Sequence, residues 1–406
     1  MEIIDMSNLL IERKGRPRPH FISYQRILNE FFYEDKTSHG YDQWLKGFQN
    51  LLRDENSLLR TFGQWLSLSL SLLEDNIFYE SVAVTWKSTT PSFRFHTEEV
   101  MTVLFDNVTL ACYSGKDSIL IMNASGYIDP LALECLGTQG QVNWERAGKP
   151  EAEIYASLSN FKINLKTPGY TADSVQLYYP AIFEGIALGR LEDKVTQIKN
   201  LESIKYPKFT SYKNSYEIDD FIPGINYRGG ISVEGANLIG SGVGGEPAEL
   251  KFYSNDTLRL KAEAQRVSMN PRFIRSPQSA ISVYLGKDSI YHPDLVLLFD
   301  VTKDQLRLFK SEDYKSLGPY SNSYHNMEMN FDELLWSRGE SFMSLQAFQG
   351  SSIGRAAFES ITYFDEEFFM ALQGMDYEHP LVQLHTYSNS LGGRTFAILN
   401  YSSYLG

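Results

Sequence analysis

The pentapeptide GSSIG, Gly350 to Gly354, has the G-x-S-x-G form that lifts a nucleophilic serine, here Ser352, out of a strand-to-helix turn. The chain order allows a triad, with Asp365 or Asp376 next and His379 or His385 as the base. Spacing argues against it. Only 54 residues follow Ser352, and the first of them read as one acidic helix, which leaves little chain for the strands that deliver acid and histidine. The serine is therefore read as part of a Gly-Ser helix entry. An intracellular serine hydrolase using Ser352 stands as the alternative function, beside a non-enzymatic interaction module.

Other motifs fail on context. GSGVGG, Gly240 to Gly245, satisfies G-x-G-x-x-G, whose glycines let the backbone approach a pyrophosphate at a helix N-terminus. Here EPAELKFYSND follows, with acids where phosphate would sit and no dinucleotide-fold helix. The two GKDS turns, in YSGKDSIL from Tyr113 and YLGKDSIY from Tyr284, lack the upstream glycine and the hydroxyl after lysine that hold a nucleotide and its magnesium. Their Gly, Asp and Ser make them hairpin turns between strands. The seven histidines are scattered, neither Cys112 nor Cys135 has a C-x-x-C partner, and His96 with Glu98 has no paired cysteines downstream. Asp376, Glu378, His379 and His385 flank Pro380, which breaks any helix that would align them. No catalytic, cofactor or metal site is expected, and no small-molecule substrate.

The elements fall into two classes. FISYQRILNEFFYE places Phe21, Tyr24, Ile27, Leu28, Phe31 and Phe32 at helical spacing, and YDQWLKGFQNLL and SLLRTFGQWLSLSLSLLED continue that period, so the first 75 residues are expected to be helical. From Phe78, the runs FYESVAVTW, TVLFDNVTLACYSG, DSILIMN and AEIYASLSNFKINLK read as strands, as do AISVYLGKDSI and PDLVLLFDVT. Helical spacing returns in TADSVQLYYPAIFEGIALGRLEDKVTQIKNLESI, NFDELLWSRGESFMSL, RAAFESITYFDEEFFMALQG and RTFAILNYSSYL. RGGISVEGANLIGSGVGGEPAE reads as a long mobile loop or exposed insertion. The expected class is α+β, a helix-rich shell domain with a β-containing protruding insertion. Its expected parts are a basic N-terminal arm (1–20), a first shell part (21–205), the insertion with its Gly-rich loop (206–280) and a second shell part (281–406).

Charge bounds the partners. With 50 acids against 37 Lys and Arg, the formal net charge is -13, and because phosphate binding draws on a surplus of cations, any polyanion contact must be local. IERKGRPRPH supplies the place: Arg13, Lys14, Arg16 and Arg18 lie within six residues, beside Pro17 and Pro19. The prolines favour an extended, solvated backbone, so these cations are expected on an arm that faces RNA. Two further basic windows, from Lys194 to Lys213 and from Arg259 to Arg275, read as solvated faces. MEIIDMSNLL lacks the pattern of a secretory signal, and the longest mostly apolar stretch, Leu58 to Leu73, is too short and too polar for a bilayer span. An intracellular chain with Cys112 and Cys135 as buried free thiols is expected, so the N-x-S/T triplets at Asn107, Asn123, Asn255 and Asn400 carry no weight.

An aromatic content of 14% suits large surfaces buried between subunits. In length, layout and composition, with its basic segment near the N-terminus and acidic body, the chain resembles coat proteins of the small double-stranded RNA viruses called partitiviruses, or cryptic viruses. The resemblance implies a structural protein of the virion, made in the cytoplasm of an infected host. Its dimers would assemble into an icosahedral capsid around double-stranded RNA, held by weak non-specific contacts, with no membrane partner.

Overall fold

The structure is a computed structural model and describes residues 2–98, 100–196, 204–311, 318–347, 356–361, 380–392 and 397–405. Four helices open the chain: α1 (Glu2–Glu12), α2 (Ile22–Phe32), α3 (Tyr41–Arg53) and α4 (Leu59–Asp75). Their apolar stripes meet in an aromatic cluster in which Trp44 stacks near Tyr24 and Phe48, with ring centroids 6.1 and 5.6 Å away. The alternating LSLSLSL of α4 has a use in this helix. Ser69 points inward, accepts the indole N–H of Trp44 at 2.9 Å and donates to the Trp65 carbonyl at 2.8 Å.

After the helices the chain is almost all strand. In order come β1 (Ile77–Glu80), β2 (Thr85–Ser88), β3 (Phe93–Thr97), β4 (Met101–Ser114), β5 (Asp117–Asp129), β6 (Glu134–Asn143), β7 (Tyr155–Leu158), β8 (Asn160–Asn164), β9 (Gly169–Tyr178) and β10 (Ile186–Lys194). Then follow β11 (Lys208–Ser211), β12 (Tyr216–Ile222), β13 (Ile225–Glu234), β14 (Asn237–Ser241), β15 (Ala248–Ser254), β16 (Thr257–Ala264), β17 (Arg266–Met269) and β18 (Phe273–Leu285). The last are β19 (Asp288–Asp300), β20 (Gln305–Phe309), β21 (Tyr320–Asn322), β22 (Met327–Asn330), β23 (Glu333–Ser337), β24 (Ser344–Gln346) and β25 (Ala357–Ser360). All pairings are antiparallel and form one connected sheet. The helical cap closes one end of it, with α3 on β3 and α4 on β1.

The sheet is two rows that share their longest strands. One row runs from β3 through β8, β11, β14 and β17 to β20, β23 and β24, and the other from β1 and β2 through β7, then from β12 through β15 and β16 to β21, β22 and β25. Strands such as β4, β5, β9, β18 and β19 belong to both, one half to each, and bend between the halves. The inner faces of both rows bury one continuous core. Each bend is a register shift built from residues that tolerate it. Asn107 in β4, Asn123 in β5, Ser174 in β9 and Asp220 in β12 take left-handed φ of 50°, 49°, 54° and 49°, a region that short polar side chains enter most readily. In β18 and β19 the shifts fall at Pro277 and Pro293, which donate no ladder hydrogen bond.

The two GKDS turns sit at the tips of the β4/β5 and β18/β19 hairpins, with Gly115 at φ 62° and Gly286 at φ 72°. The likeness extends far beyond the turns. Offset by 171 residues, Val103 opposite Ile128 becomes Ile274 opposite Phe299, and Leu110 opposite Ile121 becomes Ile281 opposite His292, through both bends. The chain thus carries the same bent hairpin twice.

The helix-rich shell with a β-containing insertion is overturned: strand makes up 49% of the chain and helix 22%. The helical reading of residues 171–204 fails over 171–196, the rest lying almost wholly outside the described residues, because the bend in β9 shifts its alternation by one, so that Tyr170, Ala172, Val175 and Leu177 are buried at mixed spacings of two and three. Phe331, Leu334 and Trp336 mislead in the same way around β23, and Ala357–Ser360 of the next expected helix is β25. Nor is the Gly-rich stretch a loop. Gly229, Gly230 and Gly240 lie in β13 and β14, where a Cβ on Gly240 would stand 2.7 Å from the buried Tyr227 ring, whose hydroxyl donates to the Gly230 carbonyl at 2.6 Å.

At the ends of the strands away from the bends, buried arginines join the rows. Arg146, in the turn after β6, donates to Asp117 at the start of β5, at 3.0 Å, and to Asp193 near the end of β10. Arg338, after β23, pairs with Asp304 at 2.9 Å and donates to the Pro223 carbonyl before β13. Both side chains are only 15% exposed. Burial pushes the Asp193 carboxyl up to about 7 against the pull of Arg146.

Three outcomes follow from this packing. Gly240→Val should cost about 1–3 kcal/mol through overpacking against Tyr227, with Gly339→Ala, which meets open space, as a neutral control in the same thermal melts. Arg146→Met strands two carboxylates and should cost about 3–5 kcal/mol. The Asp193 carboxyl holds its proton more tightly folded than unfolded, so its contribution is complete below about pH 4 and is lost as pH rises through about 7. Asp193→Asn removes this slope: denaturant titrations should show the unsubstituted protein losing stability relative to the variant between about pH 4 and about pH 7.

Candidate functional site

Two surfaces stand out by their charge, one basic and one uncharged. The basic one is the segment Arg13, Lys14, Arg16 and Arg18. It is not a free arm: α1 precedes it, and Pro17–Phe21 form a kinked turn leading into α2, although the backbone at Arg16 and Arg18 is itself extended. Lys14 ends α1 in a left-handed conformation at φ 58°, with the Gly15 N–H donating to the Leu10 carbonyl at 2.8 Å. The turn is tied down by His20. The Arg16 N–H donates to its Nδ1 at 3.0 Å, so Nε2 carries the proton and donates to the Leu59 carbonyl at 3.1 Å.

These anchors divide the four cations. Arg13 reaches the carbonyls of Asp54 and Ser57 at 3.0 and 2.6 Å and lies 5.5 Å over the Phe62 ring, so it staples the C-terminal end of α1 to the α3–α4 connection. Lys14, Arg16 and Arg18 are exposed and make no ion pair among the described residues. Three cations within five positions therefore remain open to a polyanion. The basic windows farther along spend part of their charge on acids: Lys208 and Arg266 hold Glu234 at 3.1 and 2.6 Å, and Lys261 holds Glu249 and Glu263 at 3.2 and 2.8 Å. Those cations hold both buried glutamates below the usual carboxylate range, although burial itself pushes the other way.

The uncharged surface is a pair of C-terminal helices, α5 (Pro380–Ser390) and α6 (Ile398–Leu405). Pro380 is the first residue of α5, the position that tolerates it. The helices meet through tyrosines, Tyr387 lying 4.7 and 5.5 Å from Tyr404 and Tyr401. Neither carries Asp, Glu, Lys or Arg. No described side chain of either is buried, and Val382, Leu391, Ile398, Leu399 and Tyr404 are 51–82% exposed on and beside them. The sequence signal that could have found this surface is the near absence of charge after Pro380, with Arg394 alone in a chain that is 21% charged.

Ser352, Asp365, Asp376 and His379 lie outside the described residues; His385 is exposed in α5, beside Asn389 at 3.3 Å. His96 is in β3 with Glu98 3.6 Å away. Cys112 and Cys135 are buried free thiols, as expected, and burial pushes Cys112 up to about 12. Among the described residues no group of His, Cys, Asp and Glu could hold a metal, and no helix is long and apolar enough to cross a membrane. No family model, no curated protein and no solved structure matches the chain.

Arg13→Ala should lower stability by about 1–2 kcal/mol, because two backbone carbonyls lose a charged donor. Lys14→Ala at the exposed neighbouring position should change it by less than about 0.5 kcal/mol. Chemical denaturation of the two variants side by side measures the difference.

Proposed function

We propose that this chain is a structural protein that assembles with copies of itself, in the manner of a coat, and performs no catalysis. The observation that supports this reading is the charge-free pair of helices α5 and α6. Helices of eleven and eight residues are marginal in water without a partner, and these keep their apolar side chains exposed. Depletion of charge with tyrosine at the centre is the composition of an interface core. A second copy suits the patch for an electrostatic reason. Copies of a chain with net charge -13 repel over most of their surface, and an uncharged patch is where two can meet without facing acids. A two-fold contact, the same patch on both copies, is the simplest closed arrangement.

The particular form proposed is a coat built from such dimers, an icosahedral shell around double-stranded RNA in a virion. The mostly β architecture departs from the helix-rich shell that the partitivirus resemblance implies, so this proposal draws on surface and charge and not on fold. Lys14, Arg16 and Arg18 would supply weak contacts to RNA phosphates. Three such contacts give a log-log salt slope of about -2.7, small beside that of a dedicated binder.

Light scattering of the purified chain should show dimers and larger closed particles, and Ile398→Asp with Leu399→Asp should return it to monomers with an unchanged circular dichroism spectrum. A strictly monomeric wild type at micromolar concentration overturns self-assembly. Replacing Lys14, Arg16 and Arg18 with alanine should lower the RNA content of the particles, read from ultraviolet absorbance, and leave assembly intact; an unchanged RNA content removes these three from the interior face.

A further inference from the structure

The two copies of the repeated hairpin differ in how the strand after the turn is covered. In the first copy Ile119 is 2% exposed, sealed into the core, whereas its counterpart in the second copy, Ile290, is only partly buried. Ile290 instead lines a cavity of about 320 Å³ between the ends of the two rows, together with Leu285, Trp336 and Met343. The indole N–H of Trp336 donates to the Glu340 carbonyl at 3.2 Å, which satisfies its polar edge and leaves the ring as apolar wall. Leu285 is 37% exposed, so the cavity communicates with solvent. Its size lies near the lower end of the range for small-molecule sites, about 300–1,000 Å³, and an apolar lining with a few polar groups is their usual character.

The polar groups identify the ligand. Arg259, on β16, lines the cavity and is exposed, and no carboxylate of the described residues lies within ion-pair distance of it. The neighbouring Arg338 is committed to Asp304 and the Pro223 carbonyl, so it does not compete. A guanidinium presents a rigid fork of donors that fits a carboxylate through two parallel hydrogen bonds. We infer that this cavity binds a small amphipathic carboxylate, its apolar body between Ile290, Trp336 and Met343 and its head group on Arg259. Glu340 also lines the cavity, which makes a cationic amphiphile the competing occupant. This inference stands apart from the assembly reading and shares no residue with it.

Isothermal titration of the full chain with dodecanoate, below its micelle concentration, tests it. One equivalent should bind saturably. Arg259→Gln, at an exposed position, should weaken binding about tenfold or more through loss of a charge-assisted pair, and Met343→Trp, which fills the cavity, should abolish binding while Arg259 is intact. Dodecylamine should bind at least tenfold more weakly (about 1.4 kcal/mol). No saturable uptake of dodecanoate, affinity unchanged by both substitutions, or tighter binding of dodecylamine overturns the inference.

Discussion

Arg146 holds two carboxylates, Asp117 and Asp193, that belong to the far ends of different rows of strands. The rest of the architecture depends on contacts of this kind. Where the long strands bend, the backbone itself joins the rows; at their other ends only side chains can do so. A guanidinium suits the task, because it stays charged when buried and its donors diverge toward two acids at once. The cost is burial: taken out of water, the Asp193 carboxyl retains affinity for a proton near neutrality against the pull of Arg146, and the second carboxylate, Asp117, adds to this. Trp86 adds a neutral tie, its indole N–H donating to the Thr167 carbonyl at 3.0 Å. Arg338 repeats the arginine device in the second half.

The bends follow from the same constraint. A strand that passes from one row to the other must keep its apolar face inward through a change of direction, and an extra residue at the bend achieves this. The first hairpin uses asparagine in the left-handed region and the second uses proline, each within one residue of the matching position. Asn107 and Asn123 fall in glycosylation-type triplets, but their conformation accounts for asparagine at both positions. Two chemistries thus serve one geometry, and what differs between the copies is the covering of Ile119 and Ile290.

Charge is distributed with similar economy. Buried acids on the strands are covered by Lys and Arg from neighbouring strands, as around Glu234, Glu249 and Glu333. Arg13 is spent on backbone carbonyls at the helical cap. Lys14, Arg16 and Arg18 are uncommitted, and the C-terminal helices avoid charge altogether. An acidic body with one small basic turn and one neutral patch can approach partners in few ways.

The amino-acid sequence by itself determined the helices of the first 75 residues, the strands β4 and β5, both GKDS hairpin tips and the buried cysteines, because each depends on a local period or on turn chemistry within a few residues. It also contained the charge-poor C-terminus. Only the tertiary structure decided the rest. Strands that bend mid-length lose the simple alternation of one face, so β9 and β23 resemble helices along the chain. Glycine in β13 and β14 looks like loop until Tyr227, packed against Gly240, shows what fills the space of the missing side chain. Arg146 and Asp193 are 47 residues apart and Arg338 and Pro223 are 115 apart, and no local pattern records which arginine will be buried. Proline near Arg16 and Arg18 suggests an extended arm, yet His20, held at both ring nitrogens, folds that segment into a turn. Local periods are written residue by residue, whereas the partner of a buried charge is fixed only when distant strands meet.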